Sequence, residues 1–393
     1  MGAVLMLSGA LVLFYVSVGY PAAMAVWARV APRPVKRDDA HRPLISIIVA
    51  AFNERDVIHD KVANLKALDY PEDRLEIIVV SDGSDDDTAA RAEAPGVTVL
   101  HRDERNGKQA AVLRGADHAR GDILVVTDAN NALSPNSMRE IAAMFADPAV
   151  GVVSGRKAIP TDGGRGLDAL EGGYWKYESK LKAWETATGS TPSAVGELSA
   201  FRREAFIDPG EGMITEDFVQ AMLAAGAGWR VAYTPDAVST EMASASTSDE
   251  AKRRRRITNG RLQAFAHVFP RVASRDKRLA WQMISHKGLR PLIPLATASV
   301  GVGAALTAWH SRLRVLAILG AAVLTIAAVG GWLSEKRERR VLPLYAVFYA
   351  VKVHIATIMG VVDFFRGRRS NLWERVERAP VAPESELTTP SGR

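Results

Sequence analysis

Long apolar segments lie near both ends of the chain, and the residues between them have the mixed pattern of a soluble domain. No charged residue occurs between residues 1 and 28, and the run from Val4 to Val26 is long enough to cross a bilayer as a helix. Three more apolar segments follow near the other end, namely Leu292–Trp309, Val315–Leu333 and Val341–Phe365. The pattern predicts an N-terminal transmembrane anchor over 1–30 and transmembrane or interfacial helices over 291–365.

The first apolar segment has two interpretations, a retained anchor or a cleaved signal peptide. Ala23-Met24-Ala25 resembles the small-residue site at which signal peptides are cut. The segment has no positively charged start, however, and its apolar run is longer than that of a signal peptide. These two features favour the anchor.

Basic residues that flank the apolar segments predict their orientation. One group follows the first segment, and another follows the segment that ends at Leu333. These residues are Arg29, Arg33, Lys36, Arg37, Lys336, Arg337, Arg339 and Arg340. Because short loops rich in Lys and Arg stay in the cytoplasm, the middle of the chain is predicted to be a cytoplasmic domain of a multi-pass protein in a bacterial plasma membrane.

The last apolar segment conflicts with this orientation, because a full span would place the basic residues from Arg366 onwards outside the cell. It also contains Lys352, His354 and Asp363, whose charges are costly in lipid unless they face protein or water. We therefore favour a segment that lies partly in the interface or re-enters, and a full span stays the alternative. Residues 275–290 are predicted to form an amphipathic interface helix, and 366–393 a cytoplasmic or disordered tail.

The middle of the chain alternates short β-branched runs with helical stretches. The predicted strands are Leu44–Ala50, Leu75–Ser81, Val97–His101 and Asp122–Thr127, and the predicted helices are 55–68, 86–94, 107–120 and 135–146. This alternation predicts an α/β domain over 40–270 with a mostly parallel sheet covered on both faces. Ligands of such sheets bind beyond the carboxyl ends of the strands.

Polar clusters follow three of the predicted strands, at Ala51–Glu54, Asp82–Asp87 and Asp128–Asn131. A single cluster of this kind is often only a turn or a helix cap. Three clusters at one edge of a sheet favour a binding site. The chain of 393 residues contains no cysteine, which excludes disulfides, thiolate metal sites and a cysteine nucleophile. Its net charge of +6 comes largely from the membrane flanks, so it does not indicate nucleic-acid binding.

Six motifs follow one another along the middle of the chain, namely Ser46–Glu54, Val79–Ser84, Asn106–Ala111, Thr127–Asn130, Thr215–Asp217 and Arg253–Arg256. Their order and spacing resemble those of the family 2 inverting glycosyltransferases. Within that family the chain is most similar to the membrane-bound branch that includes cellulose, chitin, hyaluronan and poly-N-acetylglucosamine synthases. The resemblance covers about residues 44–262 and implies a GT-A fold, the Rossmann-like fold of nucleotide-diphospho-sugar transferases.

The resemblance implies a donor site for a nucleotide diphospho-sugar, and UDP is the nucleotide that it favours. The donor-binding residues that it implies are Ala51, Asn53, Glu54, Asp82, Lys108, Asp128 and Arg256. Asp82 would contact the base, and Lys108 and Arg256 the diphosphate. Asp128 would hold a divalent metal, Mg²⁺ or Mn²⁺, together with Asn130, which stands where the family has a second acid.

For the acceptor, the resemblance implies that Asp217 is the general base. Glu216, Gly196, Glu197 and Trp373 are expected on the acceptor side. The chain departs from the family at two places, with Arg253 for Gln and Ile257 for Trp, and the loss of the Trp weakens the assignment to a long-chain polymerase. Three hypotheses therefore stay open: synthesis of a membrane-associated glycan, transfer of one sugar to a polyprenyl-phosphate or other lipid carrier, and nucleotide-sugar binding without catalysis. The sequence does not define a partner subunit.

Overall fold

The structure is a computed structural model that describes residues 1–160, 167–210, 212–242, 247–309, 314–336 and 342–368. Its centre is an eight-stranded mixed sheet in the order β3-β2-β1-β4-β7-β6-β8-β5. The strands are β1 (Ile45–Ala51), β2 (Leu75–Asp82), β3 (Val97–Arg102), β4 (Ile123–Asp128), β5 (Ala132–Leu133), β6 (Val150–Ala158), β7 (Ser199–Arg202) and β8 (Arg230–Thr240). The predicted α/β class is confirmed.

The first four strands are parallel, as the sequence predicts, whereas the other half of the sheet is mixed. β1 pairs with β2 and β4 in parallel, and β2 pairs with β3 in parallel. The short strand β7 lies antiparallel between β4 and β6. The carboxyl ends of β1, β2 and β4 therefore meet at one edge, where the polar clusters lie.

Thirteen α-helices occur in the described residues. They are α1 (Gly2–Phe14), α2 (Tyr20–Val30), α3 (Ile58–Lys66), α4 (Thr88–Ala92), α5 (Lys108–His118), α6 (Ser137–Met144), α7 (Leu167–Thr188), α8 (Glu216–Gly226), α9 (Thr247–Arg275), α10 (Lys277–Met283), α11 (Ile293–Trp309), α12 (Arg314–Lys336) and α13 (Leu342–Phe365). A π-helical turn, Tyr15–Gly19, joins α1 to α2.

Two hydrophobic cores cover the two faces of the sheet, because successive residues of a strand point to opposite sides. Ile47 of β1 packs with Ile58 of α3 in one core. Ile48 packs in the other core, with residues of α5, α8 and α9 such as Val112 and Met222. Every residue of β1 is buried, as expected for a central strand covered on both faces.

Four helical segments are long and apolar enough to cross a membrane, namely Gly2–Val30, Lys277–Trp309, Arg314–Glu335 and Pro343–Phe365. The first packs closely on α11 at glycines. A Cβ on Gly9 would lie 2.5 Å from the carbonyl oxygen of Ala296, and one on Gly303 would lie 2.4 Å from the backbone nitrogen of Met6. Small residues at these crossings let the two backbones approach, as in other membrane helix pairs.

Gly303→Leu is expected to lower the melting temperature of the detergent-solubilised protein, because its side chain would overlap the backbone of α1 and overpacking costs about 1–3 kcal/mol. Gly301→Leu on the same helix is the matched control, since nothing lies within 4 Å of a Cβ there. Equal melting temperatures for the two variants would show that the α1–α11 packing is wrong.

α13 packs against the other helices through its ionisable residues. Lys352 donates a hydrogen bond to Thr247 at 2.6 Å, His354 lies 3.2 Å from the hydroxyl of Thr297, and Asp363 accepts from Arg255 at 2.8 Å. Large apolar residues on the same helix are exposed, namely Val351, Ile355, Ile358, Met359, Val362 and Phe365. The charges thus face protein, as a helix in or at a membrane requires.

The segment predicted as an interface helix, 275–290, is packed inside the molecule. Leu279 and Met283 of α10 belong to the second core. Trp281 makes an edge contact with Tyr20 of α2, with ring centroids 5.3 Å apart. This segment therefore joins the sheet domain to the first apolar helix.

Candidate active site

Two adjoining cavities lie at the carboxyl edge of the sheet and share one side chain, Lys108. The first cavity, of about 270 Å³, is lined by Ala50, Ala51, Phe52, Asp82, Arg105, Gly107, Lys108 and Ala111. The second, of about 280 Å³, is lined by Lys108, Gln109, Val112, Val126, Gly196, Ser199, Phe201, Glu216, Asp217 and Gln220. Residues of four of the six motifs thus line the two cavities.

Asp82 fixes the loop that closes the first cavity. Its buried carboxylate accepts hydrogen bonds from the backbone N–H groups of Asn106 (3.1 Å) and Gly107 (2.6 Å). Gly107 has a φ of 90°, a conformation that favours glycine. Asp82 therefore lines the cavity and also positions the loop, and its contact with a base stays a prediction.

Asn53 and Glu54 brace the strand ends beside the first cavity. Asn53 has a φ of 53°, and its side chain exchanges two hydrogen bonds with Asp85, at 2.7 and 3.1 Å. The backbone N–H of buried Glu54 donates to the hydroxyl of Thr88 at 2.8 Å. Within the first polar cluster, Ala51 and Phe52 line the cavity, whereas Asn53 and Glu54 are not among its lining residues.

Sequence reasoning missed the contact between Phe52 and Arg105. The guanidinium carbon of Arg105 lies 3.7 Å from the centroid of the Phe52 ring, a cation–π geometry. Both residues line the first cavity. Phe52 lies inside a recognised motif, but no pattern in the sequence distinguishes Arg105 from the other arginines near it.

Lys108, which lines both cavities, lies close to two carboxylates. Its Nζ lies 2.6 Å from Oδ1 of Asp128 and 3.8 Å from Oε1 of Glu216. Burial disfavours its charge, but the carboxylates of Asp128 and Glu216 outweigh burial and raise the pKa of Lys108. Lys108 is therefore a fixed cation at the place where the sequence expects the donor diphosphate.

Asp128 and Asn130 offer oxygen ligands of the kind that Mg²⁺ and Mn²⁺ prefer. The side-chain oxygen of Asn130 is buried and has no hydrogen-bond partner among the residues that the structure describes, so within them it keeps a lone pair for a cation. No group of three or more His, Asp or Glu side chains placed to hold a metal occurs in the described part of the chain. The pair therefore fits a metal that takes its other ligands from the donor phosphates and water.

Asp217 lies at the start of α8, across the second cavity from the donor side. A Cβ on Gly196 would lie 3.5 Å from Oδ2 of Asp217 and 3.4 Å from Nζ of Lys108, so this glycine keeps the space beside both groups open. Burial, followed by the charge of Glu216, raises the pKa of Asp217 to about 6, and Lys108 limits the rise. A carboxylate with this pKa is ionised at neutral pH and is a competent general base.

The raised pKa of Asp217 also predicts an effect on stability. A carboxyl group whose pKa rises from 3.8 to about 6 on folding destabilises the folded state above pH 6, where it is charged. We expect Asp217→Asn to melt about 2 °C higher than the parent at pH 7.5, and the difference to shrink as the pH falls from 6 to 4. An equal gain at every pH would contradict the raised pKa.

Glu197 and a lysine that the sequence did not reveal, Lys61, support the loop after β4. The carboxylate of Glu197 pairs with Lys157, whose charge holds the pKa of Glu197 well below its usual value despite burial. Lys61 is buried and donates to the hydroxyl of Thr127 (3.1 Å) and the carbonyl of Asn131 (3.0 Å). The backbone carbonyl of Glu197 accepts hydrogen bonds from Thr127 at 2.9 Å and Asn131 at 2.7 Å. Both residues thus position the segment that carries Asp128.

The arginines of the basic run have different surroundings, and a contact of Arg256 with the diphosphate stays a prediction. Arg256, expected at the diphosphate, is exposed on α9. Arg253 instead contacts Glu250 at 2.7 Å and its charge lowers the pKa of Glu197. Arg255 pairs with Asp363 on α13. Trp373 lies outside the described residues.

Residues 46–208 match the family model described as Glycosyl transferase family 2. The chain carries a family 2 glycosyltransferase domain. The chain also shares its fold with the mannosyltransferase PcManGT from Pyrobaculum calidifontis, solved in complex with GDP-Man and Mn²⁺. The TM-score is 0.72 at 24% identity, over 94% of this chain and 100% of that one. The predicted GT-A architecture is confirmed.

The curated proteins to which the chain is similar include a polysaccharide synthase and a glycolipid synthase. A poly-beta-1,6-N-acetyl-D-glucosamine synthase of Staphylococcus aureus is 28% identical over 202 residues, which are 49% of this chain and 48% of that protein. A beta-monoglucosyldiacylglycerol synthase of Synechocystis is 30% identical over 185 residues, which are 44% of this chain and 39% of that protein. The chain spans about half the length of the curated relatives it matches, or less.

Proposed function

We propose that this chain is a membrane-bound inverting glycosyltransferase that moves a sugar from a nucleotide diphospho-sugar to an acceptor held at the membrane. The main support for the proposal is the position of Lys108. Its Nζ pairs with Asp128, and both Lys108 and Asp217 lie next to Gly196 in the second cavity. The fixed cation Lys108 suits a diphosphate, and a carboxylate with a pKa of about 6 suits an acceptor hydroxyl.

The reaction is a single displacement. The acceptor hydroxyl oxygen bonds to the anomeric carbon while the bond from that carbon to the diphosphate oxygen breaks, and the nucleoside diphosphate leaves with the electron pair. Asp217 takes the hydroxyl proton, and Lys108 balances the charge that develops on the leaving group. Asp128 and Asn130 would hold a divalent metal, which adds positive charge at the diphosphate.

The donor that we propose is a UDP-sugar, whose nucleoside would occupy the first cavity beside Phe52 and Arg105. The product that we propose is a membrane-associated glycan, in line with the name of the Staphylococcus relative. Addition of a single sugar to a lipid carrier is the second candidate. Ile257, in place of the family's Trp, and the name of the Synechocystis relative support it.

We place the protein in the bacterial inner membrane as a multi-pass protein with a cytoplasmic catalytic domain. The four apolar helical segments and the basic flanks support this location. The third hypothesis, nucleotide-sugar binding without catalysis, is disfavoured because binding alone does not require a base with a raised pKa beside the donor site.

The first test offers UDP-, GDP- and dTDP-sugars to the full chain in detergent with membrane lipids, and records nucleotide release and product mass. We expect release from one UDP-sugar and its loss when a chelator removes Mg²⁺ or Mn²⁺. A ladder of products supports glycan synthesis, and one added sugar supports the lipid-carrier hypothesis. Donor binding without release from any donor would overturn the proposal in favour of a sensor.

A further inference from the structure

Two glutamines that line the second cavity have side-chain groups without hydrogen-bond partners. Gln109 follows Lys108 at the start of α5, and Gln220 lies in the second turn of α8. The Oε1 and Nε2 of Gln109 and the Nε2 of Gln220 are buried, and none of them makes a hydrogen bond with any residue that the structure describes. We name Gln109 and Gln220 the amide pair.

The amide pair is unusual because most buried polar side-chain atoms in folded proteins have a hydrogen-bond partner. Gln220 is only 3% exposed, so bulk water does not reach most of its side chain. Ser199 lines the same cavity, but its hydroxyl donates to the carbonyl oxygen of Val195 at 2.6 Å. The unpaired amide groups thus indicate a polar ligand that enters the cavity.

The amide pair lies next to the groups proposed to act in catalysis. Gln220 follows Asp217 by three residues, so their side chains share a face of α8 and lie about 4.5 Å apart along the helix axis. Gln109 is the neighbour of Lys108, and Gly196 keeps the space beside both Lys108 and Asp217 open. A sugar whose anomeric carbon, C1, faces Asp217 therefore has the substituent of the neighbouring carbon, C2, nearest to the amide pair.

The cavity combines the amide pair with apolar side chains. Val112, Val126 and Phe201 line it and present only hydrocarbon. An acetamido group matches this combination, because it has one N–H donor, one carbonyl acceptor and a methyl group. The Gln109 oxygen can accept from its N–H, an amide nitrogen of the pair can donate to its carbonyl, and the methyl group can cover the hydrocarbon. A hydroxyl group has no apolar part to do so.

We propose that Gln109 and Gln220 are specificity-determining residues that bind an acetamido group on C2 of the donor sugar. This inference rests on the proposed function and names its donor class, an N-acetylhexosamine. A donor with a hydroxyl group on C2 would leave part of the amide pair unpaired. Sites built to pair with a polar group discriminate against analogues that lack it, because their own buried groups then stay unsatisfied.

Donor binding without acceptor tests this inference separately from sugar transfer. The full chain in detergent with Mn²⁺ is titrated with UDP-N-acetylglucosamine against UDP-glucose, and with UDP-N-acetylgalactosamine against UDP-galactose, by calorimetry. We expect the acetamido member of each pair to bind about tenfold more tightly, close to the net gain from one hydrogen bond. Equal affinities within each pair would assign the amide pair to ordered water and overturn the inference alone. Binding of no UDP-sugar would overturn the proposed function as well.

Gln220→Leu and Gln109→Leu are each expected to reduce the tenfold preference to threefold or less, with the affinity for UDP unchanged. Leu is close to Gln in size but has no polar group. The melting temperature should not fall, because the substitution removes a buried group that has no partner.

Gln263→Leu is the matched control, because Gln263 lies on α9 outside both cavities, where it donates to Asn259 at 2.9 Å. This variant should keep the tenfold preference. A preference that survives in both cavity variants, or that is lost equally in Gln263→Leu, would contradict the assignment. A lower melting temperature with an unchanged preference would give the amide pair a structural role instead.

Discussion

Asp217→Asn is expected to lower the rate of sugar transfer by about a thousandfold, within the range by which a general base accelerates a reaction. Asn has nearly the same shape as Asp but cannot accept the hydroxyl proton. Burial and Glu216 raise the pKa of Asp217 to about 6, so the parent rate should fall below pH 6 as the base becomes protonated. The measurement is the initial rate of nucleoside diphosphate release at saturating donor between pH 5 and 8.

The control for this variant is Asp117→Asn, which changes an exposed carboxylate at the far end of α5 and should leave the rate unchanged. The affinity for the donor should change little in Asp217→Asn, because the carboxylate lines the acceptor side of the cavity pair. A variant that transfers sugar within tenfold of the parent rate would assign the base to another residue, with Glu216 the nearest carboxylate.

Asp128→Ala is expected to lower kcat/KM for the donor by about a hundredfold or more. Removal of one group that stabilises developing charge in a transition state typically lowers the rate by about this factor. The substitution removes the carboxylate 2.6 Å from Lys108 and one of the two oxygen ligands proposed for the metal. The response to added Mn²⁺ should weaken at the same time. The measurement is a titration of the rate with Mn²⁺ at fixed donor concentration.

Asp103→Ala is the matched control, because its side chain is fully exposed outside the two cavities. If Asp128→Ala and the parent give the same Mn²⁺ titration, the metal is not held by Asp128. The buried side-chain oxygen of Asn130 would then need a partner other than this metal.

The parallel half of the sheet and the positions of the motifs follow from the sequence, because short β-branched runs separated by helices leave few topologies. The run Leu44–Ala50 predicts a strand of this parallel sheet, and the polar clusters that follow the parallel strands must then lie at the same edge. The antiparallel insertion of β7 does not follow from the sequence, because a four-residue strand has no distinctive pattern.

Side-chain pairs were harder to predict than motif positions, since they depend on the rotation of each helix. The basic run shows this: Arg253 and Arg256 are nearly one helical turn apart, yet one meets Glu250 and the other is exposed. Lys61 has the sequence context of an ordinary surface lysine on α3, and only the fold reveals that it is buried beneath the segment that carries Asp128. Long-range contacts of this kind leave no local signal.

The most direct test of the account follows the transferred sugar. The full chain in lipid nanodiscs is given a donor labelled with ¹³C at the anomeric carbon, and the product is examined by NMR alongside the amount of nucleoside diphosphate released. The account predicts one sugar incorporated for each nucleotide released, with the anomeric configuration inverted, and neither in Asp217→Asn. Retained configuration, or nucleotide release with no sugar incorporated, would contradict a single displacement assisted by Asp217.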